Sequence, residues 1–203
     1  VIFRFFSHLP LLFVYQCITF LPLIFRFSLY ISRNDRERLF KDTELVMDFS
    51  TSIAVERKLA NEEHTFRRCT SFLNPKGDDV MLLIEDKDRN SRLDLLEMDY
   101  YRNLIVDERF AHHLEQLGTV RTNTFSCRSE SMILNYENVR VLSAIISKQI
   151  RKYYALGQAC LSIWHFDAEK GTVSSLPMTI TNWHHEVLGD IQVYISDAVE
   201  KEI

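Results

Sequence analysis

Glycine and proline are scarce in this chain, with 5 and 4 residues respectively among 203. Long flexible linkers and low-complexity tracts are rich in these residues, so their scarcity excludes such segments. Phosphate binding through a glycine-rich loop is not expected either, and no GxSxG elbow, HExxH motif or dinucleotide-binding fingerprint occurs. The remaining composition, 46% hydrophobic and 26% charged, is that of an ordinary folded protein.

Paired cysteines and Asn-x-Ser/Thr sequons are missing too. The four cysteines lie far apart, at Cys17, Cys69, Cys127 and Cys160. A chain of this length builds a core without disulfides, so we expect reduced, buried thiols. Cys127 is a candidate nucleophile because the neighbouring Arg128 would lower the pKa of its thiol. Cys160 and His165 form a weaker pair, since residues five apart on one strand face opposite sides of a sheet.

A clustered basic face is the third absence. The formal net charge is −4, from 24 Lys and Arg against 28 Asp and Glu. Proteins that bind duplex nucleic acid need clustered positive charge to neutralise the phosphates. Nucleic acid is therefore not an expected partner.

The longest hydrophobic run covers residues 1–31, and it carries no charged residue from Leu9 to Phe25. A helix needs about 20 mostly apolar residues to cross a bilayer. Arginines follow the run, and they would keep the C-terminal side in the cytoplasm. The pattern predicts a membrane anchor that contacts the membrane through residues 5–31, with residues 32–203 cytoplasmic.

Other interpretations of this run stay open. Pro10 and Pro22 each remove a backbone donor from a helix, although membrane helices tolerate proline better than soluble ones do. A cleaved signal peptide is a weaker alternative, because no small-x-small cleavage pattern follows the run. The first methionine is Met47. Residues 1–46 are therefore alternatively not part of the natural protein, which would then be cytoplasmic.

Beyond the run, we expect a charged connector at residues 32–46 and a single domain at residues 47–203. Helical spacing of apolar residues recurs in four segments, at residues 50–73, 93–117, 135–156 and 183–202. In the last of these, Ile191, Val193 and Ile195 also alternate as in a strand. A short apolar run at residues 80–84 predicts a buried strand.

The clearest strand signal is a hairpin over residues 159–180. Residues alternate from Cys160 to Asp167, Gly171 lies in the turn, and Pro177 places the returning strand at a sheet edge. Together these elements predict an α+β fold, with several helices packed on a small antiparallel sheet.

One polar segment, residues 86–97, has the pattern of a cation site. Its oxygen-bearing side chains are those of Asp86, Asp88, Asn90, Asp94 and Glu97. This spacing resembles the EF-hand calcium loop, which places ligands at loop positions 1, 3, 5, 9 and 12, and the resemblance implies calcium binding by these side chains. Ser91 departs from the pattern because it stands where the loop has glycine, and no second loop is visible. The alternative is a polar turn capped by Ser91 or Asp94.

Two histidine pairs lie beside glutamates: His112-His113 near Glu115, and His184-His185 near Glu186. Adjacent histidines on a helix point about 100° apart, so one pair does not ligate one metal easily. We expect these histidines to be exposed or half-buried.

Aromatic residues cluster around the hairpin, at Tyr153, Tyr154, Trp164, Phe166 and Trp183. They indicate either a peptide groove, with the edge strand at residues 172–180 pairing with a partner strand, or an ordinary core. Because no set of acid, base and nucleophile stands out, we expect a non-enzymatic binding domain with a protein or peptide partner. Calcium binding through residues 86–97 is the alternative function, and no other cofactor is expected.

Overall fold

The computed structural model describes residues 2–5, 40, 43–49, 53–60, 66–115, 135–188 and 191–196. The strands are β1 (Ile2–Phe5), β2 (Leu45–Asp48), β3 (Arg67–Leu73), β4 (Asp79–Ile84), β5 (Cys160–Asp167), β6 (Thr172–Pro177), β7 (Trp183–Leu188) and β8 (Ile191–Ser196). The α-helices are α1 (Ile53–Ala60), α2 (Leu93–Val106) and α3 (Tyr136–Leu156), and a 3₁₀ turn covers Glu108–Phe110. The fold is α+β, as the sequence predicts.

The main sheet has six strands in the order β1-β2-β3-β4-β5-β6. Strands β2 and β3 are parallel, and every other neighbouring pair is antiparallel. The sheet is therefore mixed and larger than the small antiparallel sheet that we predicted. The reason is α1, which lies between β2 and β3 in the chain and serves as the crossover that a parallel pair requires.

The predicted helix over residues 50–73 is wrong for Arg67–Leu73. Residues Arg67–Leu73 instead form β3, which pairs with β2 on one side and β4 on the other. Cys69 packs in the core on one face of the sheet and Phe72 packs on the other face. Sheet pairing on both sides stabilises the strand more than helical spacing favours a helix.

Strand β4 is buried on both of its faces, which confirms the strand predicted at residues 80–84. One face packs beneath α3, in a cluster that contains Val80, Leu82, Ile84, Leu142, Ile146, Ile150 and Trp164. The other face packs beneath α2, in a cluster that contains Met81, Leu83, Leu93, Leu96, Tyr100, Leu161 and Ile163. A strand covered on both faces needs a continuous apolar run rather than an alternating one.

Helix α3 and the β5–β6 hairpin also agree with their predictions. The Asn135 side chain accepts a hydrogen bond from the Glu137 N–H at the start of α3, and Gly157 ends the helix at φ 69°. In the hairpin, Asp167 pairs with Thr172 next to the turn, and Pro177 is the last residue of β6. The helix caps and the turn depend on residues that are neighbours in the chain, so tertiary contacts do not change these elements.

The helix predicted at residues 183–202 is wrong for the described residues of that segment. Strands β7 and β8 form a separate antiparallel pair, in which His184 lies opposite Ile195 and Glu186 opposite Val193. The segment therefore follows the strand-like alternation of Ile191, Val193 and Ile195 rather than its helical spacing.

At the N-terminus, strand β1 pairs with β2, while residues 6–39 of the proposed anchor and connector lie outside the described residues. Within the described part of the chain, no helix is both long enough and apolar enough to cross a membrane. Leu45 and Val46, which we expected at the end of a charged connector, are buried in β2.

Candidate functional site

Polar residues form a row across one end of the main sheet. Asp79 on β4 lies opposite His165 on β5, and His165 lies opposite Ser174 on β6. Opposite residues in antiparallel strands project from the same face, so these side chains are neighbours. We call Asn74, Asp78, Asp79, His113 and His165 the polar corner.

Asp79 is the centre of the polar corner because its carboxylate contacts two imidazoles. One oxygen, Oδ1, lies 2.7 Å from His165 Nδ1, and the other, Oδ2, lies 2.7 Å from His113 Nδ1. Burial alone would raise the pKa of Asp79, but the hydrogen bonds and charges of His113 and His165 outweigh it and hold that pKa below its usual value. Asp79 is therefore a carboxylate at neutral pH.

Asn74 holds the two adjacent aspartates in place. Its Oδ1 accepts hydrogen bonds from the backbone N–H groups of Gly77, Asp78 and Asp79, at 2.9, 3.1 and 3.0 Å. Its Nδ2 donates to Asp78 Oδ1 at 2.7 Å and to Asp79 Oδ2 at 3.2 Å. The β3–β4 turn is thus closed by one amide side chain, which also orients both carboxylates.

His113 is buried in the polar corner, with a side chain that is 2% exposed. Its ring lies edge-on to Tyr100, at a centroid distance of 6.0 Å. Its Nε2 has no hydrogen-bond partner among the described residues. We expected His113 to be exposed or half-buried, so this prediction is wrong. His112 is exposed and contacts Glu115, as we expected.

No pattern in the sequence associates His113, Asp79 and His165. They are far apart in the chain, and no local spacing connects them. One signal was available, because His165 alternates with Leu161 and Ile163 and so belongs to their face of β5. A histidine on a packed face needs a polar partner, which is the carboxylate opposite it.

Strand β6 is the second feature of this end of the sheet. Within the described residues, it is an edge strand, and most of its residues are exposed. Met178 N donates to Leu161 O, and bonding alternates along an antiparallel pair. The backbone groups of Val173 and Ser175 therefore point away from β5. At the same outer edge, Pro177 has a carbonyl oxygen that can accept a hydrogen bond but no N–H group that can donate one.

Asp79, His165 and Ser174 follow one another in the order of an acid, a base and a hydroxyl. No hydrogen bond joins His165 to Ser174 in the described part of the structure. Activation of a serine nucleophile needs a contact between the base and the hydroxyl. The arrangement of Asp79, His165 and Ser174 therefore lacks the contact that would activate a serine nucleophile.

The residues of the EF-hand-like segment follow β4 and enter α2. Asp86 Oδ1 accepts from the backbone N–H groups of Asp88 and Asn90, at 2.8 and 3.2 Å, and Oδ2 accepts from that of Ser91 at 2.6 Å. The left-handed residue of this loop is Arg89, at φ 57°, rather than Ser91. The Asp86 carboxylate therefore closes a polar turn by accepting from the backbone of the three residues Asp88, Asn90 and Ser91.

Two of the other predicted ligands of this segment contact arginines. Asp94 Oδ2 lies 2.9 Å from Arg92 Nη2, and Glu97 Oε2 lies 3.2 Å from Arg57 Nε. Among the described residues, the one group of three or more His, Cys, Asp or Glu side chains whose ligand atoms lie within 4.8 Å of one another is Asp78, Asp79 and His165. Calcium binding at residues 86–97 stays a prediction, which a calcium titration would test.

Two aromatic residues of the proposed groove have different environments. Trp164 is buried in the cluster beneath α3, which makes it a core residue. Trp183 is half-buried, and its Nε1 lies 3.4 Å from Asp99 Oδ2.

The described cysteines are buried thiols, and Cys127 lies outside the described residues. Burial raises the pKa of Cys160 to about 12, and it raises the pKa of Cys69 well above the usual value. We expect neither Cys69 nor Cys160 to react with iodoacetamide at pH 8 in the folded protein, because only the thiolate is nucleophilic. Peptide mapping by mass spectrometry checks this. Alkylation of Cys160 at the rate seen in urea would contradict it.

No model of a known protein family matches the chain, and the search of curated proteins found no match. Function is therefore inferred from the geometry of the edge strand and the polar corner.

Proposed function

We propose that this chain is a non-enzymatic binding domain that recognises an extended segment of another protein along strand β6. The observation that carries the proposal is the open outer edge of β6 within the described residues. Such an edge binds a peptide through main-chain hydrogen bonds, as an added strand. Pro177 limits the added strand at one end, because it has no N–H to donate.

The side chains of β6 lie on both faces of the sheet, where they would contact the side chains of an added strand. Val173 packs against the cluster beneath α3, and Leu176 packs against the cluster beneath α2. Ser174 and Ser175 are exposed between them. An added strand would place alternate side chains over these two faces, which is how strand addition obtains specificity.

Hydrogen exchange in the protein without peptide tests whether the outer edge of β6 is open. We expect the amide protons of Val173 and Ser175 to exchange at least roughly tenfold faster than those of Ser174 and Leu176, because only the latter pair bonds to β5. NMR-detected exchange measures each amide separately. Equal protection of all four amides would show that the outer edge is covered.

Peptide binding is tested with a random 12-residue display library selected against the full chain. Peptides that add to β6 should protect the amides of Val173 and Ser175. Ser175→Pro should abolish their binding, because it removes an outward N–H while leaving the bonds to β5 in place. Ser175→Thr is the matched control, since it keeps the N–H. Undiminished binding to Ser175→Pro, or protection of another element, would contradict the proposal.

A further inference from the structure

We propose that Asp78, Asp79 and His165 form a binding site for a divalent transition-metal ion, with zinc as the best-fitting ion. This site is distinct from the β6 edge and does not depend on the proposed peptide binding. Its ligand atoms, one from each side chain, already lie within 4.8 Å of one another.

The distances require only side-chain adjustments. Zinc bonds to carboxylate oxygen and imidazole nitrogen at about 2.0–2.2 Å, so the ligands of a tetrahedral site lie roughly 3.3 Å apart. Asp79 Oδ1 and His165 Nδ1 are 2.7 Å apart as hydrogen-bond partners. On binding, the proton between them leaves to solvent, the ion takes its place, and the two atoms move apart by roughly 0.6 Å.

The donor set selects the ion. An imidazole nitrogen suits zinc, copper and nickel, whereas calcium and magnesium take oxygen ligands. Two carboxylates supply charge that a divalent cation neutralises. The neighbouring cation, Lys76, is paired with Glu115 at 2.8 Å rather than with either aspartate. Three protein ligands leave one position for water.

A second, independent observation is the set of side chains that hold these ligands. Asn74 Nδ2 binds Asp78 Oδ1, which leaves Asp78 Oδ2 for the ion. The buried His113 binds Asp79 Oδ2, which leaves Asp79 Oδ1. Hydrogen-bonded outer partners of this kind orient ligands in metal sites and raise their affinity.

The site is accessible from solvent and built on fixed backbone. The His165 side chain is 40% exposed, while Asp79 at 11% forms the floor. Cross-strand register fixes Asp79 opposite His165, and the Phe166 N–H donates to Asp78 O at 2.8 Å. An ion can therefore enter past His165 without any opening of the fold.

The test uses the full chain, freed of metal by chelation and titrated with Zn²⁺ by calorimetry and with Co²⁺ by visible absorption. We expect Asp78→Asn and His165→Gln each to weaken binding of both ions by at least about tenfold. Both residues are accessible enough to be replaced without loss of the fold, whereas Asp79 is buried. His112→Gln removes an exposed imidazole outside the site and is the control.

Ring ¹⁵N shifts identify the ligand independently of affinity. Addition of Zn²⁺ should move the His165 ring nitrogens, and Ca²⁺ should not displace the ion. The proposal would be overturned by an absence of saturable binding, by unchanged affinity in Asp78→Asn and His165→Gln, or by an equal loss in His112→Gln.

Discussion

Replacing Glu85 with alanine is expected to destabilise the fold by about 3–5 kcal/mol, because it breaks a fully buried ion pair. Glu85 and Arg68 both have side chains that are 0% exposed. Glu85 Oε2 accepts from the Arg68 backbone N–H at 3.0 Å and lies 3.4 Å from Arg68 Nη1. Burial lowers the pKa of Arg68 to about 10, so the guanidinium stays charged at neutral pH.

The cost is large because Glu85 also joins two layers of the structure. Its Oε1 accepts from the backbone N–H of Leu93, the first residue of α2, at 3.0 Å. Its Oε2 also accepts from Arg89 Nε at 3.1 Å. A carboxylate at a helix N-terminus interacts favourably with the helix dipole. Alanine would remove this partner from the buried Arg68 and from the start of α2 at once.

Chemical denaturation of the purified chain measures this effect. Glu85→Gln removes the negative charge but keeps the shape of the side chain. This variant should lose less stability than Glu85→Ala, because the glutamine amide oxygen can still accept a hydrogen bond from one N–H group. Lys170→Ala is the matched control, since its ion pair with Asp167 is exposed and should make no measurable contribution. A loss below about 1 kcal/mol in Glu85→Ala would show that the pair contributes no more than an ordinary hydrogen bond.

Replacing Trp164 with alanine is expected to destabilise the fold by a further large amount, about 3–5 kcal/mol. Trp164 on β5 is 4% exposed and belongs to the core cluster beneath helix α3. It lies opposite Val80 in the sheet, so its removal leaves a cavity in that core. Trp164→Phe should cost less, because the ring fills part of the space.

This substitution also separates the two interpretations of the aromatic cluster. A core tryptophan loses stability when truncated, whereas a groove tryptophan loses binding while the free domain keeps its stability. Trp183→Phe is the control, because Trp183 is only half-buried. Unchanged denaturation of Trp164→Ala would contradict the core position of this residue.

Part of the fold can be predicted from the sequence because its signals are local. The cap at Asn135, the stop at Gly157 and the turn before Thr172 each depend on neighbours in the chain. The buried strand β4 is recognisable because an apolar run of that length fits a strand covered on both faces. These elements needed no tertiary information.

Two segments could not be assigned in this way. Residues 67–73 carry the helical spacing from which we predicted a helix, and the pairing with β2 and β4 makes them a strand instead. Residues 191–196 carry both periods, and pairing with β7 selects the strand. The pairing of residues 67–73 with β2 reaches a strand on the far side of α1, whereas residues 191–196 pair with the strand immediately before them.

The sequence by itself determines the α+β class, helix α3, the β5–β6 hairpin and, among the strands that the structure describes, the edge position of β6, because composition, caps and alternation act over a few residues. The tertiary structure alone decides the polar corner. His113 and His165 lie 34 and 86 residues from Asp79, and sheet register with the packing of α2 brings them onto one carboxylate. Contacts at that separation depend on which strands pair, and that choice is made by the energy of the whole core rather than by any local pattern.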